Sequence, residues 1–457
     1  MQNDKEMLGR APIGKLLFKL ALPTVAAQLI NMLYNIVDRI YIGHIPEGGD
    51  LALTGIGVCM PIILIVSAFA ALVSSGGAPR ASIFMGEKDM ESAEKTLGGC
   101  FVLQIMLSVI LTVILSVWNR EMLLAFGASE NTIQYATEYM SVYAFGTIAV
   151  QLTLGMNAFV SAQGFTHISM FSVMIGAVAN MILDPIFIYA LDMGVRGAAL
   201  ATILSQTLSC IWVVSFLCGQ KTLLRLKREN LFVSPKFILP CLTLGFATFV
   251  MQASESVISV CFNSSLLGYG GDIAVGAMTI LMSVMQFAML PLQGIAQGAQ
   301  PILSYNYGAK SAERVKKTYK LLLISCLAYS VTLWTSIMFF PRAFAAMFTT
   351  EPALLDFTEG VIRIYFGGMF LFGIQIACQM TFVSLGNAPS SVLVAVVRKF
   401  VLLLPLIYLV PKLASDATIG VYTAEPIADI IAVTFTSILF VFRFRKAMKE
   451  IAPKESV

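Results

Sequence analysis

Three carboxylates lie inside apolar stretches of this chain: Asp38, Asp184 and Glu255. An ionisable side chain at the centre of a membrane-spanning helix costs about 2.5–3.5 kcal/mol on insertion scales, so its presence there indicates a function. At such depth a carboxylate binds a metal cation, takes up a proton, or pairs with a cationic group. These three residues are therefore the first candidates for the chemistry of this protein.

Asp184 lies in the segment GAVANMILDPIFIYALDMG, four residues after Asn180 and directly before Pro185. A spacing of four places the Asn180 and Asp184 side chains on one face of a helix. Because proline has no N–H to donate, the Met181 carbonyl is predicted to be free on a kinked helix. These oxygens suit a hard cation such as Na⁺ or a protonatable carboxyl with partners, whereas the structural alternative is a kink whose polar groups satisfy one another.

Asp38 and Glu255 occupy similar apolar surroundings. An interfacial ion pair with Arg39 is the alternative for Asp38, although adjacent helical residues point to different faces. A polar stripe at helical spacings accompanies Glu255, formed by Gln252, Ser256 and Ser259. The stripe predicts a helix that faces a cavity, or else a protonated Glu255 hydrogen-bonded to another helix. Weaker candidates for cargo contacts are the glutamines of other apolar stretches: Gln286, Gln293, Gln297, Gln375 and Gln379.

The composition identifies the elements that must position these residues. The chain has 457 residues, of which 58% are hydrophobic and only 12% are charged, whereas a soluble domain has about 25% charged residues. The apolar stretches are continuous, which predicts membrane-spanning helices and not the alternating strands of a β-barrel. We therefore predict an all-α polytopic membrane protein and exclude a water-soluble enzyme. About twelve spans are predicted, at residues 15–43, 51–77, 97–118, 133–160, 168–191, 195–218, 238–266, 273–303, 320–341, 360–385, 391–411 and 418–442.

Cysteine and histidine usage argues against a bound cofactor. The eight Cys residues include no CxxC pair and the chain has only two His residues, so we expect neither a disulfide framework nor a haem or zinc site. The polar start leads into an apolar segment that is too long for a signal peptide. The first span is therefore expected to remain in the mature protein.

Lys and Arg residues are unevenly distributed between the two sides of the predicted membrane. With twelve spans, one side carries 24 of the 30 and the other side six. Because cytoplasmic loops are enriched in these residues, both termini are predicted to be cytoplasmic. This count places Arg398 and Lys399 in a cytoplasmic connection and leaves the spans almost without interior Lys or Arg. The net charge of +4 then reflects topology and does not indicate nucleic-acid binding.

The two halves of the chain are related by an internal repeat. Residues 76–96 align without gaps on residues 298–318, with eight identities that include Gly76 with Gly298 and Gly86 with Gly308. The shift of 222 residues corresponds to six spans, an even number, so the halves have the same orientation in the membrane. We predict an N-lobe at 1–220, a cytoplasmic basic linker at 221–237 and a C-lobe at 238–457. Parallel repeats of this kind favour a transporter whose two bundles rock around a central cavity.

The chain resembles bacterial members of the MATE (multidrug and toxic compound extrusion) family over essentially its whole length. The matching segments are LALPTVAAQLINMLYNIVDRIYIGH, GGAPRASIFMGEKD, FVSAQG, NMILDPIFIYALDMGVRGAALAT and SYNYGAKSAERV. The resemblance implies two six-helix bundles in a V-shaped fold in the bacterial inner membrane, acting as a monomer among lipids and not as an enzyme. It also implies an antiporter without a cofactor that exports amphipathic organic cations, such as drugs, dyes and toxic metabolites, in exchange for Na⁺ or H⁺.

The resemblance also assigns site residues. The family's cation-coupling site falls on Asp38, Asn180, Asp184 and Thr202, with Ala198 near it. Neutral oxygens on Asn180 and Thr202 favour Na⁺ over H⁺, because a proton does not need them. Cargo binding is expected at Glu255, with Gln252, Gln286, Gln375 and Gln379. Some members pair the acid of span seven with an Asp in span ten, where this chain has glutamines, so such a pair is in doubt here.

Other interpretations, among them a channel or a membrane enzyme, fit the sequence less well. The major facilitator fold has the same parallel plan, but its charged loop after span two is replaced here by PRASIFMGEKD. A flippase for lipid-linked sugars from the same superfamily would need a strongly basic cavity, which the predicted spans do not supply. A dedicated metabolite exporter of the same superfamily stays open as an alternative.

The predicted topology is testable by cysteine labelling. A cysteine that replaces Glu351, in the loop at 342–359, should react with a membrane-impermeant thiol reagent added outside the cell. Glu313→Cys, in a predicted cytoplasmic connection, is the matched control and should react only after permeabilisation. With the native thiols blocked, the reverse pattern would overturn the predicted span count.

Overall fold

The computed structural model describes residues 7–45 and 49–452, and this part of the chain is almost entirely helical, with no strand. The helices that cross the membrane are α1 (Ile13–Gly43), α2 (Gly49–Gly86), α3 (Met90–Val117), α4 (Ile133–Ala162), α5 (Thr166–Pro185), α6 (Gly194–Cys218), α7 (235–270), α8 (272–308), α9 (Ala312–Phe339), α10 (Pro352–Ser384), α11 (Ala388–Leu413) and α12 (Ala417–Ile451). Short helices are Met7–Arg10, Asn119–Ala125 and Pro341–Ala346.

Helices α7 and α8 are joined by a kink at Gly271 within one helical segment of 74 residues. Gly271 has φ 67° and ψ −163°, a conformation essentially restricted to glycine, so no other residue type could form this sharp connection without strain. Eleven helical segments of the described chain are long and apolar enough to span a membrane, and this one contains two spans. The prediction of twelve spans is therefore confirmed.

Buried apolar side chains divide between the two halves of the chain. Two clusters of the core lie between residues 42 and 241, and the largest cluster lies between residues 258 and 451. The beginning of α1 is an exception, because Leu16 and Leu20 pack into the cluster of the second half. The fold is two bundles of six helices, as predicted, and α1 crosses from one to the other.

The bundles meet through glycines that the internal repeat duplicates. A Cβ on Gly86 would lie 2.0 Å from the Tyr305 carbonyl oxygen, and a Cβ on Gly308 would lie 2.0 Å from the Ile83 carbonyl oxygen. Gly308 and Tyr305 are the repeat partners of Gly86 and Ile83, so α2 and α8 form the same contact twice. The identities that revealed the repeat therefore have a steric cause, since only glycine permits this backbone approach.

A second connection between the bundles is polar. The Arg314 guanidinium donates to the carbonyl oxygens of Leu8 and Ala11 at 3.1 and 2.9 Å, and the Asn306 amide donates to Leu8 at 2.9 Å. The short helix Met7–Arg10 is thereby attached to the turn between α8 and α9. Leu8 also lies beside Gly164 of the first bundle. The N-terminal segment therefore joins the two bundles at the end where α2 and α8 finish.

One sequence-based prediction is wrong. Arg398 and Lys399 do not lie in a loop but inside α11, where a π-helical segment, Val397–Leu403, carries both. Only 5% of Lys399 is exposed. The spans therefore do contain interior basic residues. A charge count assigns these two residues to a connection because it does not consider their partners on other helices. The distribution of the other basic residues stays strongly uneven without these two.

The glycine contact leads to a stability prediction. Gly86→Ala should destabilise the protein by about 1–3 kcal/mol, because the added methyl group forces α2 away from α8. Gly57→Ala, on the same helix, is the matched control, since a Cβ there meets no atom within 4 Å. Thermal melting of the purified protein in detergent measures both variants. Equal melting temperatures would show that the close contact between the bundles does not contribute to stability.

Candidate functional site

Helices α1 and α5 bring Asp38, Asn180 and Asp184 together in the first bundle. The Asn180 amide donates to Asp184 Oδ1 at 3.2 Å, and the carboxyl groups of Asp38 and Asp184 lie close enough to interact electrostatically. Asp184 has no exposed surface and Asn180 is 2% exposed. Two carboxyl groups this close cannot both remain ionised at low cost unless a proton or another cation neutralises them.

Three oxygens of this group are buried and unpartnered among the described residues: Asp38 Oδ1, Asn180 Oδ1 and Asp184 Oδ2. Each buried acceptor without a hydrogen bond costs about 1–3 kcal/mol, and more if it is charged. Three such acceptors in one cluster therefore form a strongly cation-attracting point. The cluster can hold a metal cation on carboxylate and amide oxygens, or a proton between the two carboxyl groups.

Thr202 lies on α6, where its hydroxyl donates to the Ala198 carbonyl at 3.0 Å. Tyr139 on α4 interacts with both Thr202 and Asp38. Tyr139 is buried and stacks on Tyr143, with ring centroids 6.1 Å apart. Neither tyrosine can be recognised from the sequence, because a Tyr within an apolar helix does not differ in pattern from an ordinary core residue.

Pro185 ends the regular part of α5, and the chain continues as a π-helical turn, Ile186–Ala190. The Tyr189 hydroxyl donates to the Tyr41 carbonyl of α1 at 2.6 Å. A Cβ on Gly197 would lie 2.7 Å from the Phe187 carbonyl, so α6 begins directly against this turn. The helical geometry therefore changes directly after Pro185, and the π-helical turn contacts the two helices that carry Asp38 and Thr202.

A second polar cluster, which we call the C-terminal ion-pair cluster, lies in the other bundle. It consists of Glu255 on α7, Arg398 and Lys399 on α11, and Glu425 and Asp429 on α12. Lys399 Nζ donates to Glu255 Oε1 at 2.7 Å. The Lys399 side chain is 6% exposed, whereas the Glu255 side chain is 55% exposed. Glu255 therefore has a buried cationic partner within the protein.

Arg398 pairs with the two carboxylates of α12, Asp429 and Glu425. Its Nε and a terminal nitrogen donate to Asp429 Oδ1 at 3.0 and 2.8 Å, and a terminal nitrogen lies 3.6 Å from Glu425 Oε1. The guanidinium also stacks over the Phe372 ring, 5.0 Å from its centroid. The sequence shows these charges inside spans eleven and twelve, but it does not show that they pair with one another.

The predicted glutamines fall into two classes. Gln252 and Gln286 are exposed on α7 and α8, and Gln252 shares the polar face of Glu255. Gln375 and Gln379 are buried in α10, at 4% and 8% exposure. The Gln379 amide donates to the Ser391 hydroxyl at 2.8 Å, so this side chain connects α10 to α11. Glu255 and these glutamines therefore do not form a single group.

The two polar clusters occupy equivalent helices of the two bundles. The first lies on α1, α5 and α6, and the second on α7, α11 and α12, which are six helices further along the chain. The clusters nevertheless differ in chemistry. Within the described residues, the first combines two carboxylates with neutral oxygens, whereas the second contains its own Arg and Lys.

A family model described as MatE matches this chain twice, over residues 23–186 and over residues 247–409. The chain belongs to the MatE family. The two matched ranges correspond to the two bundles and confirm the internal repeat. The family consists of secondary transporters, so this multi-pass membrane protein is a transporter and not an enzyme.

Named relatives and solved structures agree with this assignment. The multidrug export protein MepA of Staphylococcus haemolyticus is 22% identical over 401 residues, which cover 88% of each chain. MepA of Staphylococcus aureus strain NCTC 8325 is 20% identical over 404 residues, again 88% of each chain. A crystal structure of MATE in the bent conformation superimposes with a TM-score of 0.91 at 21% identity, covering 98% of this chain and 99% of the other.

Two further structures share the fold. A transporter of the MOP superfamily from Pyrococcus furiosus, described as having a binding pocket of reverse polarity, has a TM-score of 0.90 at 21% identity and covers 97% of this chain and 98% of its own. The outward-facing conformation of a multidrug resistance MATE transporter also has a TM-score of 0.90 at 21% identity, with 96% and 98% covered. At this level of identity the likeness shows the fold alone.

Proposed function

We propose that this MatE-family transporter is a secondary active antiporter that exports amphipathic organic cations, such as drugs, dyes and toxic metabolites, in exchange for Na⁺ or H⁺. The observation that carries the proposal is the cluster of unpartnered buried oxygens on Asp38, Asn180 and Asp184. A transporter has a use for such a cluster, because it can take up a cation on one side of the membrane and release it on the other. The relatives named as multidrug export proteins support an organic cargo.

The coupling site consists of Asp38, Asn180, Asp184 and Thr202. Loss of the bound cation leaves two carboxyl groups in mutual repulsion, and this favours a different packing of the kinked helix α5 against α1. We favour Na⁺ as the coupling ion. The buried Asn180 Oδ1 is a neutral oxygen without a partner in the described structure, and a proton would not need it.

Alternating access follows from the two-bundle plan, with an N-lobe at 1–220, a basic linker at 221–237 and a C-lobe at 238–457. The positive-inside distribution favours a cytoplasmic location for both termini and for the turns that follow Gly86 and Gly308. The close glycine contacts at these turns then close the cytoplasmic side, and the cleft between the lobes opens outward. A monomer suffices for this cycle, in the inner membrane of a bacterium.

Cargo binds in the cleft, with Glu255 as its charged contact and with Gln252 and Gln286 on the exposed faces of α7 and α8. Gln375 and Gln379 serve packing, because both are buried. A flippase for lipid-linked sugars is not supported. The interior cations Arg398 and Lys399 are outnumbered by three carboxylates, so they do not create a basic cavity.

Asp184→Asn tests the coupling site. The substitution keeps the side-chain volume but removes a charge, so the protein should insert normally and lose gradient-driven ethidium efflux by about tenfold or more. Asp192→Asn, an exposed position beyond α5, is the matched control and should export like the wild type. Efflux is measured in a pump-deficient bacterium with equal amounts of protein in the membrane. Normal efflux by Asp184→Asn would remove Asp184 from the coupling site, and no wild-type efflux would contradict the multidrug function.

The coupling ion is tested in proteoliposomes. At fixed pH, replacement of Na⁺ by choline should reduce ethidium transport strongly, because the neutral ligands Asn180 and Thr202 serve a metal cation. A parallel series imposes a pH gradient without Na⁺ and should produce little transport. Full activity in the second series would instead identify H⁺ as the coupling ion.

A further inference from the structure

The C-terminal ion-pair cluster contains one more acidic group than basic groups. Its three carboxylates, on Glu255, Glu425 and Asp429, face two cationic groups, on Arg398 and Lys399. The phenol of Tyr365 on α10 lies near the same group and is uncharged. With each ionisable residue in its ordinary state, the cluster has a net charge of −1. An unbalanced charge at this depth is costly, so the cluster should attract one further positive charge.

Glu255 is the point at which that positive charge can enter. Its side chain is 55% exposed, whereas the side chains of Arg398, Glu425 and Asp429 are 13%, 7% and 3% exposed. Gln252 is exposed three residues earlier on the same face of α7. An exposed acid and amide on a membrane-spanning helix face an aqueous cleft, because contact with lipid would be costly. Cargo in the cleft therefore reaches Glu255 first.

A cation that reaches Glu255 encounters Lys399 as a competitor. Lys399 is buried, and Glu255 is the acceptor of its hydrogen bond in the described structure. A displaced ammonium needs a new carboxylate, because a buried unpaired charge is strongly destabilising. Glu425 can serve, since it interacts electrostatically with Lys399 and its 3.6 Å contact with Arg398 is longer than the 2.7–2.9 Å of a charge-assisted hydrogen bond.

We propose that the C-terminal ion-pair cluster binds one monovalent organic cation at Glu255, and that Lys399 is the built-in cation that this cargo displaces toward Glu425. This inference rests on the proposed export function and adds to it a residue that determines specificity. Among the described residues, the cluster of the first bundle contains no equivalent lysine, so the cation proposed for it is one taken up from solution. The second bundle supplies a cation of its own, so cargo binding there is an exchange between two cations.

The charge count also predicts which cargo is preferred. One monovalent cation brings the cluster to neutrality, whereas a dication leaves an excess positive charge. Removal of Lys399 changes the balance, because the cluster then has a net charge of −2 and should favour a dication. Lys399 therefore determines the preferred cargo charge as well as the affinity.

Ethidium and propidium test this preference, because they share a ring system but carry one and two positive charges. Fluorescence titration of the purified full-length protein in detergent gives a Kd for each dye. Lys399→Met should shift the ratio of the two Kd values about tenfold in favour of propidium. Because the ratio of the two Kd values is compared between variants, the difference in size between the dyes affects each ratio equally. Lys399→Arg keeps the charge and should keep the wild-type ratio.

Two further variants provide a control and a second test. Lys412→Met changes an exposed lysine near the end of α11 and should leave the ratio unchanged. Glu425→Gln leaves the Glu255–Lys399 pair intact but removes the carboxylate that receives the displaced ammonium, so ethidium should bind about tenfold more weakly. Because this variant needs no change at Lys399, it tests the exchange even if Lys399→Met does not fold.

The outcomes separate this inference from the proposed function. Wild-type ratios in Lys399→Met, in a protein that melts normally, would overturn the exchange while leaving export intact. Wild-type ethidium affinity in Glu425→Gln would also overturn it. Absence of dye binding in the wild type and in every variant would overturn both the exchange and the multidrug function.

Discussion

A polar atom inside a bilayer has to find its partner within the protein, and most features of this transporter depend on that constraint. The backbone meets it by being helical throughout the described spans, because a helix satisfies its own hydrogen bonds. The polar side chains of the two bundles differ in whether they find such a partner. The second bundle pairs carboxylates with Arg398 and Lys399, whereas the first leaves oxygens of Asp38 and Asp184 unpartnered. We interpret the unpartnered oxygens as the place where an ion from solution completes the structure.

The internal repeat separates what the two halves share from what distinguishes them. They share the glycines at which α2 and α8 approach, because a close backbone contact tolerates no side chain and duplicates only if the glycine does. They differ in the charges on the helices that surround each polar cluster. Close packing therefore accounts for the framework that the two halves share, and different residues on equivalent helices make the two clusters chemically different. The proposed ion site and the proposed cargo site lie in separate bundles, as the proposed coupling of one flux to another requires.

The proposed ion site and the proposed cargo site also differ in how accessible their side chains are. In the first cluster Asp184 is fully inaccessible and Asn180 is 2% exposed, so the proposed ion site is largely buried. Glu255, the proposed cargo contact, is half exposed on a face that also carries Gln252. The two proposed sites therefore differ in accessibility as well as in charge.

The amino-acid pattern alone was sufficient for the twelve spans and the two bundles. It also singled out Asp38, Asn180 and Asp184, whereas the family resemblance implied that they form one group. Hydropathy and the Asn180–Asp184–Pro185 spacing are local properties, and the repeat is visible by direct comparison of two segments. A bilayer makes local hydrophobicity decisive for topology. The pattern failed at Arg398 and Lys399, which a charge count assigned to a loop. Whether a basic residue can remain inside a span depends on the carboxylates that other helices bring to it. Asp429 and Glu255 come from positions 31 residues after Arg398 and 144 residues before Lys399, and only packing of α7, α11 and α12 brings them together.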